Sequence, residues 1–535
     1  MREEKGRSLS LVPLLRVFLL LCLLWGMAQP VALARTQPPS PTPSGQPSSI
    51  QPSSGQPSSI QPYIDRVVER ITDFTLDNGM KFIVMERHQA PVVSFMTYVD
   101  VGAAYEEKGK TGAAHFLEHL AFKGTTQIGT KNYRAEKILL DQLDRLFDQI
   151  QAAKAAGNEQ VVGRLQQEFD RVKTQAASYV KQNELAQVVE QSGGEGLNAT
   201  TSADETRYFY SFPSNKLELW MSLESERFLD PVFREFYEEK EVILEERRMR
   251  TDNSPIGKMF ETFLQTAFPD YPYGRPTIGY EADIRSLRRQ DIQKFFETYY
   301  TPSHIIAAVV GDVDPAEVKR LAETYFGRYR VRSEAPSIQV PTLRPSGPKE
   351  VVVRLATQPW YLEGYLRSPS NHPDDVVYQI IGSILTDGRT SRLYKSLVEQ
   401  QQLALNVNVA NGFPGDRYSN IMLIYALTAP GHTVEEIAAA MDAEIQRLKT
   451  EPVAAEELER VKNQARAGLL QTLASNQGMS SLLPEYEATR GSWRNLFEEL
   501  KAIEATTAED VQRVARETFV PQNLTTGKLL PLEEG

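Results

Sequence analysis

Cysteine is almost absent from this sequence. Its 535 residues include a single one, Cys22, which lies in the apolar N-terminal segment. A lone thiol can form no disulfide within the chain and cannot supply a set of thiolate metal ligands. We therefore expect any metal site to use histidine and carboxylate ligands. We also expect the folded body to be stabilised by its hydrophobic cores alone.

Long apolar runs are also scarce. The one apolar run long enough to consider is 17–25. It follows four basic residues and precedes a small-residue cleavage signature that ends at Ala34. We interpret 1–34 as a secretory signal peptide cleaved near Ala34, which predicts a periplasmic or extracellular mature protein. The alternative is a retained membrane anchor, but 17–25 is shorter than the roughly 20 residues that span a bilayer.

Basic residues are fewer than acidic ones in this chain. The sequence has 59 Lys and Arg against 70 Asp and Glu, which gives a net charge of −11. Cleavage after Ala34 would remove four basic and two acidic side chains and shift the net charge to −13. Phosphate backbones and anionic lipids repel such a chain. We therefore expect no nucleic-acid partner and no binding to anionic membranes.

The chain is too long for one compact core and is expected to hold several domains. Residues 35–62 are rich in Pro, Ser and Gln and predict a disordered linker. We assign an N-terminal domain to 63–335 and a C-terminal domain to 345–535. In both, β-branched segments alternate with amphipathic ones, which predicts an α+β fold of two related modules, each an antiparallel-rich sheet packed by helices.

A helical hairpin interrupts the first module. Apolar residues recur at helical spacing on both sides of Gly157-Asn158, which predicts an insertion at about 135–191 with a coiled-coil-like seam. The simpler interpretation is a self-packed insertion. The alternative is an arm that docks a partner protein, in which case the chain would be a binding module.

The segment His115-Phe116-Leu117-Glu118-His119 carries the chemistry. Residues four apart share one face of a helix, so His115 and His119 can bind one zinc ion. Zinc lowers the pKa of a water molecule that it binds to about 7, and Glu118 can accept that proton. This HxxEH order is the inverse of the commoner HExxH motif. The residues alone leave open a pair of structural histidines beside a surface glutamate.

The surrounding residues resemble the pitrilysin, insulin-degrading-enzyme and mitochondrial-processing-peptidase family. The segment 112–125 (GAAHFLEHLAFKGT) is similar to the family's zinc helix, 196–202 (GLNATTS) to its substrate-binding strand, and 239–246 (EKEVILEE) to the helix that supplies the third ligand. The resemblance extends from about residue 63 to the C-terminus. It implies a zinc endopeptidase that acts on peptides or unfolded proteins, with one Zn²⁺ per chain.

The resemblance also implies the third ligand. In the family this glutamate follows another acidic residue by seven positions, as Glu246 follows Glu239 here. Two helical turns separate them, so both point the same way. We expect Glu246 to bind zinc and Glu239 to support the site, with Glu241 and Glu245 as rival candidates. Glu246 lies 127 residues after His119, farther than in the family, and the predicted insertion accounts for the difference.

The family's substrate-binding features are matched in part. The resemblance assigns Asn198, Ala199 and Thr200 to a strand edge to which a peptide substrate adds. Active relatives also carry an arginine and a tyrosine that bind the substrate backbone. The aligned positions here are Val398 and Leu405, whose side chains donate no hydrogen bond.

The nearby Arg392 and Tyr394 are only two residues apart, whereas the family's pair is seven apart. We interpret them as residues that pack a helix. We therefore expect a homodimer or heterodimer in which a related subunit supplies the Arg/Tyr pair. The alternative is a non-catalytic assembly subunit of the same fold.

Overall fold

The computed structural model describes residues 61–330, 335–344 and 347–532, and every structural statement here refers to them. The predicted signal peptide and the predicted linker up to residue 60 lie outside the described residues. Helix α1 begins at Gln61, just before the expected start of the folded body. Among the described helices, none is both long enough and apolar enough to cross a membrane.

The described strands form a six-stranded and a five-stranded sheet. The first sheet has the order β1-β2-β6-β3-β5-β4 and the second β7-β11-β8-β10-β9. The strands are β1 Ile71–Thr75, β2 Lys81–Glu86, β3 Val92–Val99, β4 Glu195–Thr201, β5 Thr206–Pro213, β6 Ile305–Gly311, β7 Lys349–Arg354, β8 Trp360–Arg367, β9 Ala404–Phe413, β10 Asn420–Thr428 and β11 Leu524–Leu530.

The two sheets have the same topology once β1 is set aside. In each, the five strands of the module lie in the order first, fifth, second, fourth, third. The first and fifth strands pair in parallel, and the other neighbours pair antiparallel. This confirms the predicted fold of two related, antiparallel-rich α+β modules.

Helices cover the sheets and connect their strands. The helices of the first module are α1 Gln61–Val68, α2 Ala113–Leu120, α3 Tyr133–Ala155, α4 Glu159–Ala177, α5 Glu184–Gln191, α6 Leu217–Leu229, α7 Phe236–Arg247, α8 Pro255–Ala267, α9 Glu281–Ser286, α10 Arg289–Tyr299 and α11 Pro315–Tyr325. Those of the second are α12 Asp375–Thr386, α13 Val434–Thr450, α14 Ala455–Leu473, α15 Asn476–Arg490, α16 Asn495–Ala505 and α17 Ala508–Thr518. A π-helical turn, Arg248–Asp252, follows α7 directly.

Each module contributes one helix to the sheet of the other. Helix α8 packs against β7 and β11 of the second sheet, and α15 packs against β3 and β6 of the first. Glycine at 364 and 527 permits this approach, because a Cβ at either position would lie 2.8 Å from the ring of Phe263 on α8. The modules therefore share apolar packing, although the expected boundary at 335–345 falls between their sheets.

The predicted hairpin is present as α3 and α4, and Asn158 caps the second helix through a hydrogen bond from the Val161 N–H. Its seam is part of the module's main core. Phe147 and Phe169 are buried and contact the ring of Tyr237, which belongs to α7. The hairpin is thus packed against the helix that carries Glu246 and is more than a self-packed addition.

Arg234 fixes the base of the hairpin. Its side chain and that of Glu136 on α3 are fully buried, with 2.9 Å between Nε and Oε1. The guanidinium also donates to the carbonyl groups of Lys123, Thr125 and Ile128, in the loop that leaves α2. One buried cation therefore holds together α2, the hairpin and the start of α7.

We expect Arg234→Met to destabilise the protein strongly, because the substitution leaves the buried Glu136 carboxylate without its cation. Breaking a buried pair in this way costs about 3–5 kcal/mol. Arg171→Met is the matched control, since Arg171 pairs with Glu168 on the exposed face of α4. Denaturant unfolding of both variants checks the prediction, and similar midpoints for the two would contradict it.

Candidate metal centre

Helix α2 carries His115, Glu118 and His119. The carboxyl group of Glu106, which lies in the loop before the helix, fixes the start of the helix. Gly112 precedes the helix with a left-handed φ of 88°. Glu106 accepts hydrogen bonds of 2.9 Å from the N–H groups of Gly112 and Ala114. These bonds satisfy donors that the first helical turn leaves free.

Helix α7 brings Glu246 to the two histidines. Glu246 Oε2 lies 3.6 Å from His115 Nε2 and 3.4 Å from His119 Nε2. The ligand atoms of the three residues all lie within 4.8 Å of one another. His115 and Glu246 are buried and His119 is partly exposed, so the cluster is open on one side.

The cluster fits a zinc ion. Ligand atoms about 2.0–2.2 Å from a tetrahedral zinc lie about 3.4 Å apart. Glu246 Oε2 lies at nearly this distance from the Nε2 atom of each histidine. Two histidines and one carboxylate are also a donor set that zinc accepts at catalytic sites, where a fourth position stays open. His115, His119 and Glu246 could therefore hold the metal.

Of the other acidic residues of α7 that the sequence singles out, one faces the site and two do not. Glu239 Oε2 lies 3.2 Å from His119 Nδ1, and Glu239 Oε1 lies 2.5 Å from Lys123 Nζ. Glu241 is exposed, and Glu245 is exposed and pairs with Arg248. The structure thus places Glu239 behind a histidine, where it would orient the ring, and places both rival candidates away from the cluster.

Glu118 lies beside the cluster, and a residue of the first sheet holds its side chain. Its carboxylate is buried, and Oε2 accepts a hydrogen bond of 2.5 Å from Thr201 Oγ1 at the end of β4. Burial raises the pKa of Glu118, while the bond from Thr201 opposes that rise. A raised pKa suits a group that takes up a proton during a reaction.

The two histidines have different electrostatic surroundings. Burial, together with the neighbouring His119, lowers the pKa of His115 to about 3, so its ring is neutral. Burial also acts to lower the pKa of His119, but the carboxylates of Glu239 and Glu246 outweigh it and raise that pKa to about 9. Without a metal, His119 therefore holds a proton between these carboxylates at neutral pH.

The predicted substrate strand lies at a sheet edge. Strand β4 pairs on one side with β5, where Asn198, Ala199 and Thr200 face Phe209, Tyr208 and Arg207. No other described strand pairs with β4. The Ala199 N–H is bound by Asn198 Oδ1 at 2.9 Å, a local contact that occupies part of the edge.

The second module contributes no Arg/Tyr pair at the aligned positions. Val398 is partly buried against the core of that module, and Leu405 is half exposed. Arg392 forms an ion pair with Glu457 on α14, with 2.7 Å between Nη2 and Oε2, and Tyr394 packs against the same core. Arg392 is thus engaged in an ion pair and Tyr394 in the core of the second module.

Sequence reasoning missed several residues that fix this site. Glu106, Thr201 and Arg250 all contact the helices or the side chains of the cluster. Thr201 stands inside the quoted GLNATTS segment, and Arg250 stands one helical turn after Glu246. Helical spacing could have indicated Arg250, whereas only the fold shows which side chain meets Thr201.

Two family profiles match the chain, one after the other. A profile of the Insulinase (Peptidase family M16) domain matches residues 81–139 and 170–281, and a profile of the Peptidase M16 inactive domain matches residues 286–465. Together these segments make up more than half of the chain. The first match is interrupted within the predicted insertion.

Individual relatives give the same picture. The chain is 28% identical to the zinc protease PqqE of Helicobacter pylori over 467 residues, which are 85% of this chain and 92% of the relative. A solved protease from Helicobacter pylori superposes with a TM-score of 0.73 at 27% identity, over 86% of this chain and 99% of that one. The periplasmic protease PqqL of Escherichia coli shares the fold, with a TM-score of 0.64 at 16% identity, over 86% of this chain and 48% of that one.

We predict that metal binding releases protons in a pH-dependent way. His119 must lose its proton to become a ligand, and its pKa is raised to about 9. Below that pH, binding should release about one proton per metal, and the apparent affinity should rise about tenfold per pH unit up to about pH 9. Calorimetry at pH 7 in two buffers of different ionisation enthalpy measures the release. Zinc binding without proton release at pH 7 would contradict the prediction.

Proposed function

Because the chain belongs to peptidase family M16, the insulinase family, we propose that it is a zinc-dependent endopeptidase of the HxxEH type. The observation that carries this proposal is the convergence of His115, His119 and Glu246, with Glu118 beside them. We propose that it acts on peptides or unfolded proteins outside the cytoplasm. The signal-peptide pattern of 1–34 and the periplasmic location stated for PqqL support that location.

The residues of the site have separate roles in this proposal. His115, His119 and Glu246 would hold one zinc ion per chain, which would supply a Lewis acid for water and for the peptide carbonyl group. Glu118 takes the proton of the attacking water and passes it to the departing amine. Thr201 holds Glu118 Oε2, so that the other carboxylate oxygen faces the reaction. Glu239 fixes the ring of His119 and thereby the direction of its Nε2.

We propose that the substrate lies along β4 as an additional strand. The backbone at Asn198, Ala199 and Thr200 would bind it, and a carbonyl group of the peptide would replace Asn198 Oδ1 as the acceptor for the Ala199 N–H. Binding through main-chain groups restricts the substrate to an extended segment and selects weakly among side chains. Short peptides and unfolded chains meet that requirement.

We propose further that the active enzyme is a dimer with a related subunit. Val398 and Leu405 cannot donate to a substrate carbonyl group, and the loss of one such donor costs about 10²–10³ in rate. The chain also spans 48% of PqqL, which is about twice as long. A homodimer or a heterodimer would restore that size, and a subunit that carries the Arg/Tyr pair would restore the donors.

One observation favours a non-catalytic assembly subunit instead. The second module matches a profile described as an inactive domain. However, that match begins at residue 286, after all the residues of the metal cluster. The cluster lies within the segments that match the insulinase profile, which supports the catalytic proposal.

We predict that Glu118→Gln abolishes peptide cleavage while zinc stays bound, because the amide cannot accept the proton and Glu118 is not one of the ligands. Loss of a general base lowers kcat by about 10²–10⁴. His115→Ala should lose both zinc and activity, and a chelator should inhibit the parent. Glu241→Gln is the control, since Glu241 is exposed on α7. Zinc analysis and cleavage of a quenched-fluorescence peptide test this, and unchanged cleavage by Glu118→Gln would reject the assigned role.

We predict that the purified chain alone cleaves peptides slowly and that an Arg/Tyr-bearing relative accelerates cleavage by about 10²-fold or more. Glu118→Gln in this chain should abolish the stimulated activity, which locates the chemistry here. Substitution of the arginine and tyrosine in the relative should abolish the stimulation alone. A high rate for the isolated chain would contradict the divided site.

A further inference from the structure

Arg250 contacts the one ligand of the cluster that is a carboxylate. Its Nη1 lies 3.0 Å from Glu246 Oε1, whereas Glu246 Oε2 faces both histidines. The two oxygens of Glu246 thus have different partners. In the described part of the chain, Glu246 is the carboxylate with which Arg250 pairs. The guanidinium remains about one-third exposed, since the side chain is 35% accessible.

The backbone holds Arg250 in this place. The helix continues beyond Arg247 as a π-helical turn, Arg248–Asp252, closed by a hydrogen bond of 2.7 Å from the Asn253 N–H to the Arg248 carbonyl. Single π-helical turns are rare and often occur at functional sites. Helix α8 packs directly on this turn, because a Cβ at Gly257 would lie 1.9 Å from the Arg250 carbonyl oxygen. A glycine at 257 is therefore required for the position of Arg250.

We propose that Arg250 is a positioning residue of the metal site, which holds Glu246 Oε1 away from the metal so that Glu246 contributes a single oxygen. This inference rests on the proposed function. A carboxylate without such a partner can turn and bind through both oxygens, which adds a ligand and fills a position. A catalytic zinc site needs that position for water and the substrate carbonyl group. Arg250 therefore keeps the coordination open.

Cobalt substitution of the full chain tests the proposal without reliance on activity, because cobalt(II) absorbs strongly with four ligands and weakly with five. We expect Arg250→Met to weaken the visible bands of the cobalt protein. Its zinc affinity in a chelator competition should not fall, because the substitution removes a cation from beside a divalent cation. Peptide cleavage, where the parent is active, should fall by about 10–100-fold.

Two further variants separate this role from packing. Arg250→Lys restores a cation opposite Glu246 and should return the cobalt bands toward those of the parent. Arg248→Met removes an exposed arginine of the same turn, which pairs with Glu245, and should leave the bands unchanged. If Arg250→Met fails to fold by circular dichroism, Arg250→Gln takes its place in both measurements.

The outcomes are distinct. Parent-like cobalt bands in Arg250→Met overturn the positioning role while the proposed function stands. A large loss of zinc affinity that Arg250→Lys does not restore also overturns it, since that result identifies a packing role. A parent protein that binds neither zinc nor cobalt overturns the proposed function itself, and the inference with it.

Discussion

The metal centre depends on the contact between helices α2 and α7. Phe116 and Phe236 are buried there with their rings stacked, 4.5 Å between centroids. The two helices are separated by more than one hundred residues, so their relative rotation is set by packing and not by chain connection. Because interiors are densely packed, a small rotation of α7 would carry Glu246 away from the histidines. Arg234 strengthens this arrangement, since it joins the loop after α2 to the start of α7.

The same contact sets the electrostatics of the cluster. Two carboxylates, Glu239 and Glu246, lie beside His119, and their partners are Lys123, Arg250 and the proton on the ring. A divalent cation could replace that proton and satisfy the same carboxylates. The site therefore has a charge distribution that favours a cation at its centre, and Lys123 and Arg250 hold the outer oxygens in place. Such outer contacts set the orientation of ligands as much as the ligands' own helices do.

The sequence predicted the elements whose signals are local. The strands β2, β3 and β6, which are largely apolar segments rich in β-branched residues, and the helical hairpin of α3 and α4 have such signals. It did not predict β1, β5, β8 or β11, although the burial of β5 alternates along the strand. The exchange of α8 and α15 between the modules was not predictable, because it depends on long-range packing. At the site, helical spacing put His115 and His119 on one face, and the family resemblance singled out Glu239 and Glu246. The contact of Thr201 with Glu118 was not predictable, because it joins a strand end to a helix that lies 83 residues away in sequence.

The repeated topology allows the two modules to be compared helix by helix, and the metal cluster lies in the first of them. Helix α12 follows the second strand of its module, as α2 does in the first, and its segment DVVYQIIGSILT contains no histidine. Most of α12 is buried, so its side chains serve the core and leave no face for a metal. The edge strand β9 corresponds to β4. Helix α12, which corresponds to α2, contains no glutamate in the place of Glu118. A fold can thus be repeated without its site. The second module supplies packing to the first through α15, and at Val398 and Leu405 it offers no side-chain hydrogen-bond donor.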